Sequence, residues 1–373
     1  MLLYSIVFIL LMYFAFLDIN LKNNKTIQRI IVYFFSIVFI FLSTIYCGEK
    51  GDYETYNYWF MELSFDKYDT WIWWHFEPLY TLLNVIAKEI YNEYWFLRMV
   101  LIIMVTTFWN QIYLREEVCN NCEKNYPCVL LFICWALQFG NIFLIRSTVS
   151  VTFCLFSLRY IREKDIIKFI VATLCAIGFH YMAILWLLAY PLYYLNMRRR
   201  VWYFLLVLSY MLSDSILSNV LLDLSKYLPI SIKYRIQYYI NTGKMVTFND
   251  VYSYHEQLFK ASLSIISVII IFELILCFSG NVKNSVNRYF NIYMFGAVIY
   301  ASSFSLSLAM GRAAMPFTMI QILVLPEIFN MKWINSNIHN RLIVFLVFSL
   351  YLAMRMYVQT RNGYIPFTNM LEW

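Results

Sequence analysis

The chain has 373 residues, of which 62% are hydrophobic, 20% are aromatic and only 14% are charged. Soluble domains carry about 25% charged and about 45–50% apolar residues, so this composition excludes an ordinary soluble protein and indicates a polytopic membrane protein. The formal net charge is +7, but the basic residues cluster between apolar runs, where they act as orientation signals and imply no nucleic-acid partner.

Apolar runs of the length that crosses a bilayer, roughly 20 residues, recur along the whole sequence. The start, MLLYSIVFILLMYFAFL, lacks a basic n-region and a small-residue cleavage site, which favours a retained first span. The predicted spans are 2–18, 29–47, 94–114, 128–145, 147–161, 201–221, 258–279, 289–310, 313–330 and 341–357. Together with residues 167–195 they predict an all-α fold of about 11–12 membrane segments in a single domain over 1–373.

Residues 167–195 are the difficult stretch, because a 29-residue helix would be about 43 Å long, too long for one upright span. We interpret it as a short hairpin whose apex is Gly178–Phe179–His180. A single crossing would instead place Arg198–Arg200 and all later basic loops outside, against the positive-inside tendency. The hairpin therefore predicts that segments 48–93 and 222–257 lie outside and carry short helices.

The first outer segment, 48–93, supplies candidate carboxylates. Glu77 precedes Pro78, which favours an extended Glu77 and a helix that begins at the proline. Glu77, or else Asp52, could act as a general base on a hydroxyl. The alternative for Glu77 is charge complementarity with the helix N-terminus, and for Asp52 a solvated loop carboxylate. His180 is a third candidate catalyst, although a lone histidine among apolar residues is more often a satisfied core residue.

Arg146 lies alone in a long apolar stretch, since no other charge occurs between Cys128 and Leu158. A buried arginine in a membrane costs about 2.5–3.5 kcal/mol unless it faces a polar cavity or an anion. Its planar fork of donors suits phosphate, so the sequence indicates either an anion site or a topological anchor. Arg312 is a second arginine that lies alone in an apolar stretch, since no other charge occurs between Arg288 and Glu327. Two arginines near one outer face, with His180 at the same level, suit a diphosphate.

Aromatic residues near these groups are candidates for a substrate groove, because their rings pack against sugars, although they also suit a membrane interface. The second outer segment, 222–257, could form a lid or groove, or a solvated loop. The candidate groove residues are Tyr53, Tyr56, Tyr80 and Arg235.

Metal binding is not expected. Cys119-x-x-Cys122 with Cys128 resembles half a zinc site, but no second Cys/His pair follows at ligand spacing. No carboxylate cluster stands at the spacing of a divalent-metal site either, so we predict that no metal and no cofactor is required.

Several short motifs occur in order: Asp52-Tyr53 with Tyr56, Glu77-Pro78-Leu79-Tyr80, Asn141-Ile142-Phe143-Leu144-Ile145-Arg146, Gly178-Phe179-His180-Tyr181 and Gly311-Arg312. Over roughly residues 50–330, the ordered set resembles the EpsG-like branch of the Wzy-type polysaccharide polymerases. Members of that family usually continue the arginine motif with Gln and a small residue, whereas Ser147 and Thr148 follow here.

The resemblance implies a polymerase of repeat units of a surface polysaccharide, whether O-antigen, capsule or exopolysaccharide. Such enzymes transfer the growing chain from undecaprenyl diphosphate to another lipid-linked unit, outside the bacterial inner membrane. Arg146 and Arg312 would bind the diphosphate, and Glu77, Asp52 or His180 would deprotonate the acceptor hydroxyl. The expected partners are the lipid-linked donor and acceptor and membrane lipids, with a chain-length regulator as a candidate.

Three other classes remain open. A polysaccharide ligase would use the same arginines with a different acceptor. A flippase or transporter needs a polar pathway through the bundle, whereas the ionisable residues lie mainly at one face, with Glu273 as an exception. A membrane O-acyltransferase needs its histidine near a cytoplasmic acyl donor, whereas His180 is predicted at the opposite face.

Overall fold

The computed structural model describes residues 2–20, 24–45, 53–68, 77–114, 126–137, 146–211, 254–278, 283–303 and 312–359, with positions 219, 222, 223, 225–227, 233 and 237. Of this part of the chain, 90% is helical and none lies in a strand, which confirms the all-α prediction.

The α-helices in chain order are α1 (Leu2–Asn20), α2 (Lys25–Ile45), α3 (Tyr53–Glu62), α4 (Pro78–Ile90), α5 (Tyr94–Tyr113), α6 (Pro127–Ala136), α7 (Arg146–Arg162), α8 (Ile166–Phe179), α9 (Ala189–Tyr194), α10 (Arg199–Met211), α11 (Tyr254–Phe278), α12 (Lys283–Ser303), α13 (Met315–Thr318), α14 (Gln321–Val324), α15 (Lys332–Asn335) and α16 (Ile338–Gln359). Short 3₁₀ helices cover Phe65–Lys67, Tyr181–Leu188, Arg312–Ala314 and Leu325–Asn330.

Five helical stretches among the described residues are long and apolar enough to cross a membrane: Leu3–Asn20, Lys25–Ile45, Tyr94–Tyr113, Arg312–Asn330 and Ile338–Tyr357. Large apolar side chains point outward from them. Ile37 on α2 is 67% exposed and Leu350 on α16 is 65% exposed. Lipid tails solvate such side chains as well as a protein core does, so the exposed faces fit a bilayer. The chain is a membrane protein, and the expected number of 11–12 segments stays a prediction.

Residue contacts divide the chain into two compact units. The first comprises Met1–Phe156, Cys175–His180 and Pro326–Trp373, and the second comprises Ser157–Leu174 and Tyr181–Leu325. The prediction of one domain over 1–373 remains untested.

The first unit packs around α6, in which every residue is buried. Trp135 stacks on Tyr4 of α1 at 4.2 Å and on Phe39 of α2 at 5.3 Å between ring centroids. The backbone N–H of Cys128 donates to Asp18 Oδ2 at 2.8 Å, which satisfies one of the donors that α6 leaves without an intrahelical partner. The stacked rings join α6 to α1 and α2, and the hydrogen bond between Cys128 and Asp18 joins α6 to α1 a second time.

In the second unit, polar side chains form hydrogen bonds and an ion pair between different parts of the chain. Trp202 Nε1 donates to Asn291 Oδ1 at 2.9 Å, and Asn291 Nδ2 donates to the carbonyl of Leu195 at 2.6 Å. Arg199 forms an ion pair with Glu273. Glu273 is therefore a paired charge, which limits its cost at membrane depth.

The segment 167–195 is divided at His180. The helix α8 ends at Phe179, the 3₁₀ helix begins at Tyr181, and the backbone N–H of His180 donates to the carbonyl of Ala176 at 2.9 Å. The rings of Phe169 and Tyr190 lie 5.5 Å apart, although these residues are on opposite sides of the break. The two arms therefore lie side by side.

The predicted span 313–330 corresponds to the helical stretch Arg312–Asn330, but it is not one regular α-helix. It consists of α13, α14 and flanking 3₁₀ turns. Pro316 lies in the first turn of α13, where a proline is tolerated, and Pro326 lies in the last 3₁₀ helix. Between them, the N–H of Ile322 donates three residues back, to the carbonyl of Met319 at 3.0 Å.

Candidate functional site

The site begins at Glu77, immediately before α4. Its backbone is extended, with φ −75° and ψ 151°, as the following proline predicts. The carbonyl of Glu77 accepts hydrogen bonds from the N–H and the hydroxyl of Thr81, each at 2.9 Å. The side chain makes no capping bond to its own helix and is only 6% exposed. The carboxylate is therefore not held by a hydrogen bond to the backbone of α4, although the positive end of that helix favours its charge.

The carboxylate of Glu77 is directed at Arg146, the first residue of α7. Arg146 Nη1 donates to Glu77 Oε2 in an ion pair, and Arg146 Nε donates to the hydroxyl of Tyr56 at 3.2 Å. The guanidinium carbon lies 5.5 Å from the centre of the Tyr56 ring and 5.7 Å from that of Tyr80. The Arg146 side chain is 17% exposed, so the pair is nearly enclosed.

Glu77 stands at the start of its own helix, next to the guanidinium. The N-terminus of a helix carries a partial positive charge, so an anion there is favourable. Glu77 occupies the N-terminus of α4 and forms the ion pair with Arg146. A helix N-terminus and a guanidinium thus meet at one place, an arrangement that suits a negatively charged ligand.

Tyrosine side chains enclose the ion pair. Tyr56 and Tyr80 are 8% and 2% exposed, and their rings meet edge to face with centroids 6.1 Å apart. Burial raises the pKa of Tyr80 well above its usual value, and Arg146 opposes this only in part. Tyr80 is therefore a neutral hydrogen-bond donor at physiological pH and not a base.

A second buried arginine, Arg98 on α5, stands next to these tyrosines and was missed by the sequence analysis. Arg98 is 3% exposed, and its Nε donates to the carbonyl of Ser43 at 2.9 Å. Its guanidinium carbon lies 5.6 Å from the centre of the Tyr53 ring. The signal that identified Arg146, a single arginine in an apolar run, was present at Arg98 too. It was overlooked because Arg98 lies close to the end of its predicted span.

His180 and its neighbours approach the same helix from α8. Gly178 is buried, and a Cβ built on it would stand 2.5 Å from Cγ and Cδ1 of Leu79. The end of α8 therefore packs against the first turn of α4, beside Glu77. His180 itself is half-buried.

The structure thus brings four of the predicted site residues together: Glu77, Arg146, Tyr56 and Tyr80. Tyr53 belongs to the adjoining cluster around Arg98, where its ring lies 5.2 Å from that of Tyr94. Arg312 is exposed and belongs to the other unit. Asp52 and Arg235 lie outside the described residues. A common outer level for Arg146, His180 and Arg312 remains a prediction.

Within the described ranges, no three His, Cys, Asp or Glu side chains come close enough together to hold a metal ion. The described side chains at the site include a carboxylate, a guanidinium and tyrosines. Such a set can bind an anion, hold a hydroxyl and accept a proton.

Comparison with known proteins gives one match. The model of the EpsG family matches residues 30–369, nearly the whole chain. No curated protein and no solved structure matches it. The matched range contains Glu77, Arg146 and all the tyrosines around them.

Proposed function

Since the chain belongs to the EpsG family, a family of Wzy-like polysaccharide polymerases, we propose that it polymerises oligosaccharide repeat units carried on undecaprenyl diphosphate. The product would be a surface polysaccharide. The observation that carries the proposal is the enclosed ion pair of Arg146 and Glu77, because it joins an anion-binding group to a candidate base. A lipid-diphosphate donor and a hydroxyl acceptor need these two groups.

The reaction joins two lipid-linked units. An acceptor hydroxyl oxygen attacks the anomeric carbon of the donor, and a new glycosidic bond forms there. The bond between that carbon and the diphosphate oxygen breaks, so undecaprenyl diphosphate leaves with the electron pair. Arg146 stabilises the charge that develops on this leaving group. The hydroxyl proton passes to the carboxylate of Glu77. Asp52 and His180 are the alternative bases.

Glu77 and the donor diphosphate compete for the same guanidinium. Without substrate, Glu77 neutralises Arg146. A phosphate offers the planar fork of arginine two acceptor oxygens, and such bidentate bonds are strong. When the diphosphate takes Arg146, the carboxylate of Glu77 is released and can accept the proton of the acceptor hydroxyl. Donor binding would in this way prepare the base.

The predicted groove residues differ in exposure. Aromatic rings pack against the apolar faces of sugar rings, and tyrosine hydroxyls bond to sugar oxygens. Of the four residues expected to form a groove, Tyr53, which is half-buried, and Arg235 are proposed to contact the sugars. Tyr56 and Tyr80, which are 8% and 2% exposed, are proposed to hold Arg146. Arg312 is proposed as a second diphosphate ligand.

The proposed setting is the bacterial inner membrane, crossed many times, with the site open to the periplasm or exterior. This orientation follows from the distribution of basic residues between the apolar runs. The donor and the acceptor would both be lipid-linked units, and a chain-length regulator would be a further partner.

The test is a polymerisation assay. The purified protein, in lipid nanodiscs, is incubated with a repeat unit linked to undecaprenyl diphosphate, and the products are separated by size. We expect a ladder of multiples of the repeat unit from the wild type and only the single unit from Arg146→Lys, since lysine lacks the planar fork. Arg288→Lys, at an arginine that lies over Tyr193 in the second unit, is the matched control and should give the ladder. Absence of a ladder from the wild type, both in nanodiscs and in membranes expressing the chain, with the lipid-linked repeat unit that the host cell synthesises, would refute the proposal.

A further inference from the structure

Three consecutive arginines, Arg198, Arg199 and Arg200, stand at the start of α10 in the second unit. The preceding residues 195–198 are not helical, so the arginines lie at the N-terminus of this helix. Arg198 and Arg200 are exposed, and neither forms an ion pair with another described residue. A helix N-terminus carries partial positive charge, so cations there are unfavourable unless an anion lies near.

Glu273 of α11 neutralises only the middle arginine. Its Oε2 accepts a hydrogen bond from Arg199 Nη1, and its Oε1 accepts one from the hydroxyl of Tyr203, so both oxygens are occupied. One carboxylate against three arginines leaves an excess of positive charge. Ile270 and Leu274, on either side of Glu273 in α11, are 53% and 43% exposed, so the ion pair lies at the edge of an apolar surface.

The exposed face of α10 is apolar beyond the arginines. Phe204, Val207 and Met211 follow Arg200 at intervals of three and four residues, so all four lie on one face of the helix. The three apolar side chains are 65%, 59% and 79% exposed, whereas Trp202 on the opposite face is buried. The helix rises about 16 Å from Arg200 to Met211, roughly half of a hydrocarbon core about 30 Å thick. The stripe therefore matches the depth of one leaflet.

We propose that this end of α10 binds an anionic phospholipid, with Arg198 and Arg200 on the headgroup phosphate and an acyl chain along the apolar stripe. Arginine forks suit phosphate oxygens, and basic clusters at a membrane surface attract anionic lipids. A free phosphate would leave the stripe unused, whereas a phospholipid uses both parts of the surface. The bound lipid supplies the negative charge that the start of α10 lacks. This site is independent of the polymerase reaction.

The test measures which lipids the purified full-length chain retains. The protein is extracted from nanodiscs that contain equal amounts of phosphatidylglycerol and phosphatidylcholine, and the lipids that stay bound are counted by native mass spectrometry. The double variant Arg198→Gln with Arg200→Gln removes the two exposed charges and keeps the ion pair of Arg199 with Glu273. Both arginines are exposed, so the double variant should melt at the temperature of the wild type.

Lys168→Gln is the matched control. Lys168 belongs to the same unit, its side chain is 63% exposed, and the apolar residues Ile170 and Val171 that follow it on α8 are exposed as well. It differs from the proposed site in being a single cation that is already paired with Asp165.

The wild type should retain phosphatidylglycerol in preference to phosphatidylcholine. Each arginine near an anionic lipid contributes about fivefold, so the double variant should lose about twenty-fivefold of this preference, while Lys168→Gln keeps it. A double variant with the full preference, or a wild type with none, overturns the proposal. An equal loss in Lys168→Gln also overturns it, because the preference would then reflect general surface charge. Displacement of phosphatidylglycerol by a tenth of its concentration of undecaprenyl diphosphate would assign the site to that lipid instead.

Discussion

Replacing Glu77 by glutamine should strengthen the binding of a lipid diphosphate while it abolishes polymerisation. Glutamine has nearly the shape of glutamate but no charge, so Arg146 loses its internal anion. A hydrogen bond to a charged group is worth about 1.5–3 kcal/mol, and 1.4 kcal/mol corresponds to about a tenfold change in affinity. The wild-type diphosphate must displace this bond. Glu77→Gln should therefore bind it about tenfold to a hundredfold more tightly.

Because both side chains are nearly enclosed, the full energy of about 1.5–3 kcal/mol applies to the bond between Glu77 and Arg146. The Glu77 and Arg146 side chains are only 6% and 17% exposed, so solvent screens their interaction weakly. Glu62→Gln is the matched control, since it breaks an ion pair in the same segment of the chain, with Lys67, in which both side chains are about half exposed. Such exposed pairs contribute about 0–1 kcal/mol, and Glu62 is not near the guanidinium, so its variant should leave the affinity unchanged.

The assay is equilibrium binding of fluorescent undecaprenyl diphosphate to protein in nanodiscs, followed by the polymer ladder from the same preparation. Weaker binding by Glu77→Gln would refute the idea that the diphosphate displaces Glu77 from Arg146. It would mean instead that Glu77 orients Arg146 toward the ligand. Tighter binding with normal polymerisation would refute Glu77 as the base and leave Asp52 and His180 as candidates.

Two further predictions concern the surroundings of the ion pair, and a third concerns Arg312. Tyr56→Phe keeps the ring but loses the 3.2 Å bond to Arg146 Nε, so diphosphate binding should weaken about two- to tenfold in the same binding assay; unchanged affinity would remove that hydroxyl from the site. Gly178→Ala drives a methyl group into Leu79 and should destabilise the fold by about 1–3 kcal/mol, seen as a lower melting temperature in detergent. Adding Leu79→Ala should return part of that loss, and no recovery would argue against the packing. Arg312→Lys should raise the donor concentration for half-maximal rate about tenfold if its fork binds phosphate, and an unaltered KM would exclude Arg312 as a ligand.

Much of the helical architecture was predictable because apolar runs of bilayer length have few other solutions. The expected spans 29–47 and 94–114 correspond closely to α2 and α5. The start of α4 followed from the proline after Glu77. The span expected over 313–330 is present as Arg312–Asn330, but its mixture of α-helical and 3₁₀ turns could not be predicted from its total hydrophobicity.

The sequence identified residues of the site, but it did not show which of them contact each other. Arg146 stood out because an isolated arginine in an apolar stretch is costly, and the position of Glu77 before a proline marked it as a helix-entry carboxylate. Their ion pair spans 69 positions of sequence, and no local spacing rule relates residues so far apart.

An ion pair that only stabilises the fold can be distinguished from one that takes part in the reaction by removing both charges and measuring stability and activity. A buried pair that serves only stability can be replaced by apolar residues of similar volume, with an effect that ranges from neutral to about 1–4 kcal/mol of added stability. We therefore expect Glu77→Met with Arg146→Met to fold with an unchanged or raised melting temperature and to form no polymer. The single variant Glu77→Met should be less stable than the double one, because it leaves the Arg146 charge nearly enclosed and without its partner carboxylate. A double variant that still polymerises would show that the pair holds the fold and takes no part in glycosyl transfer.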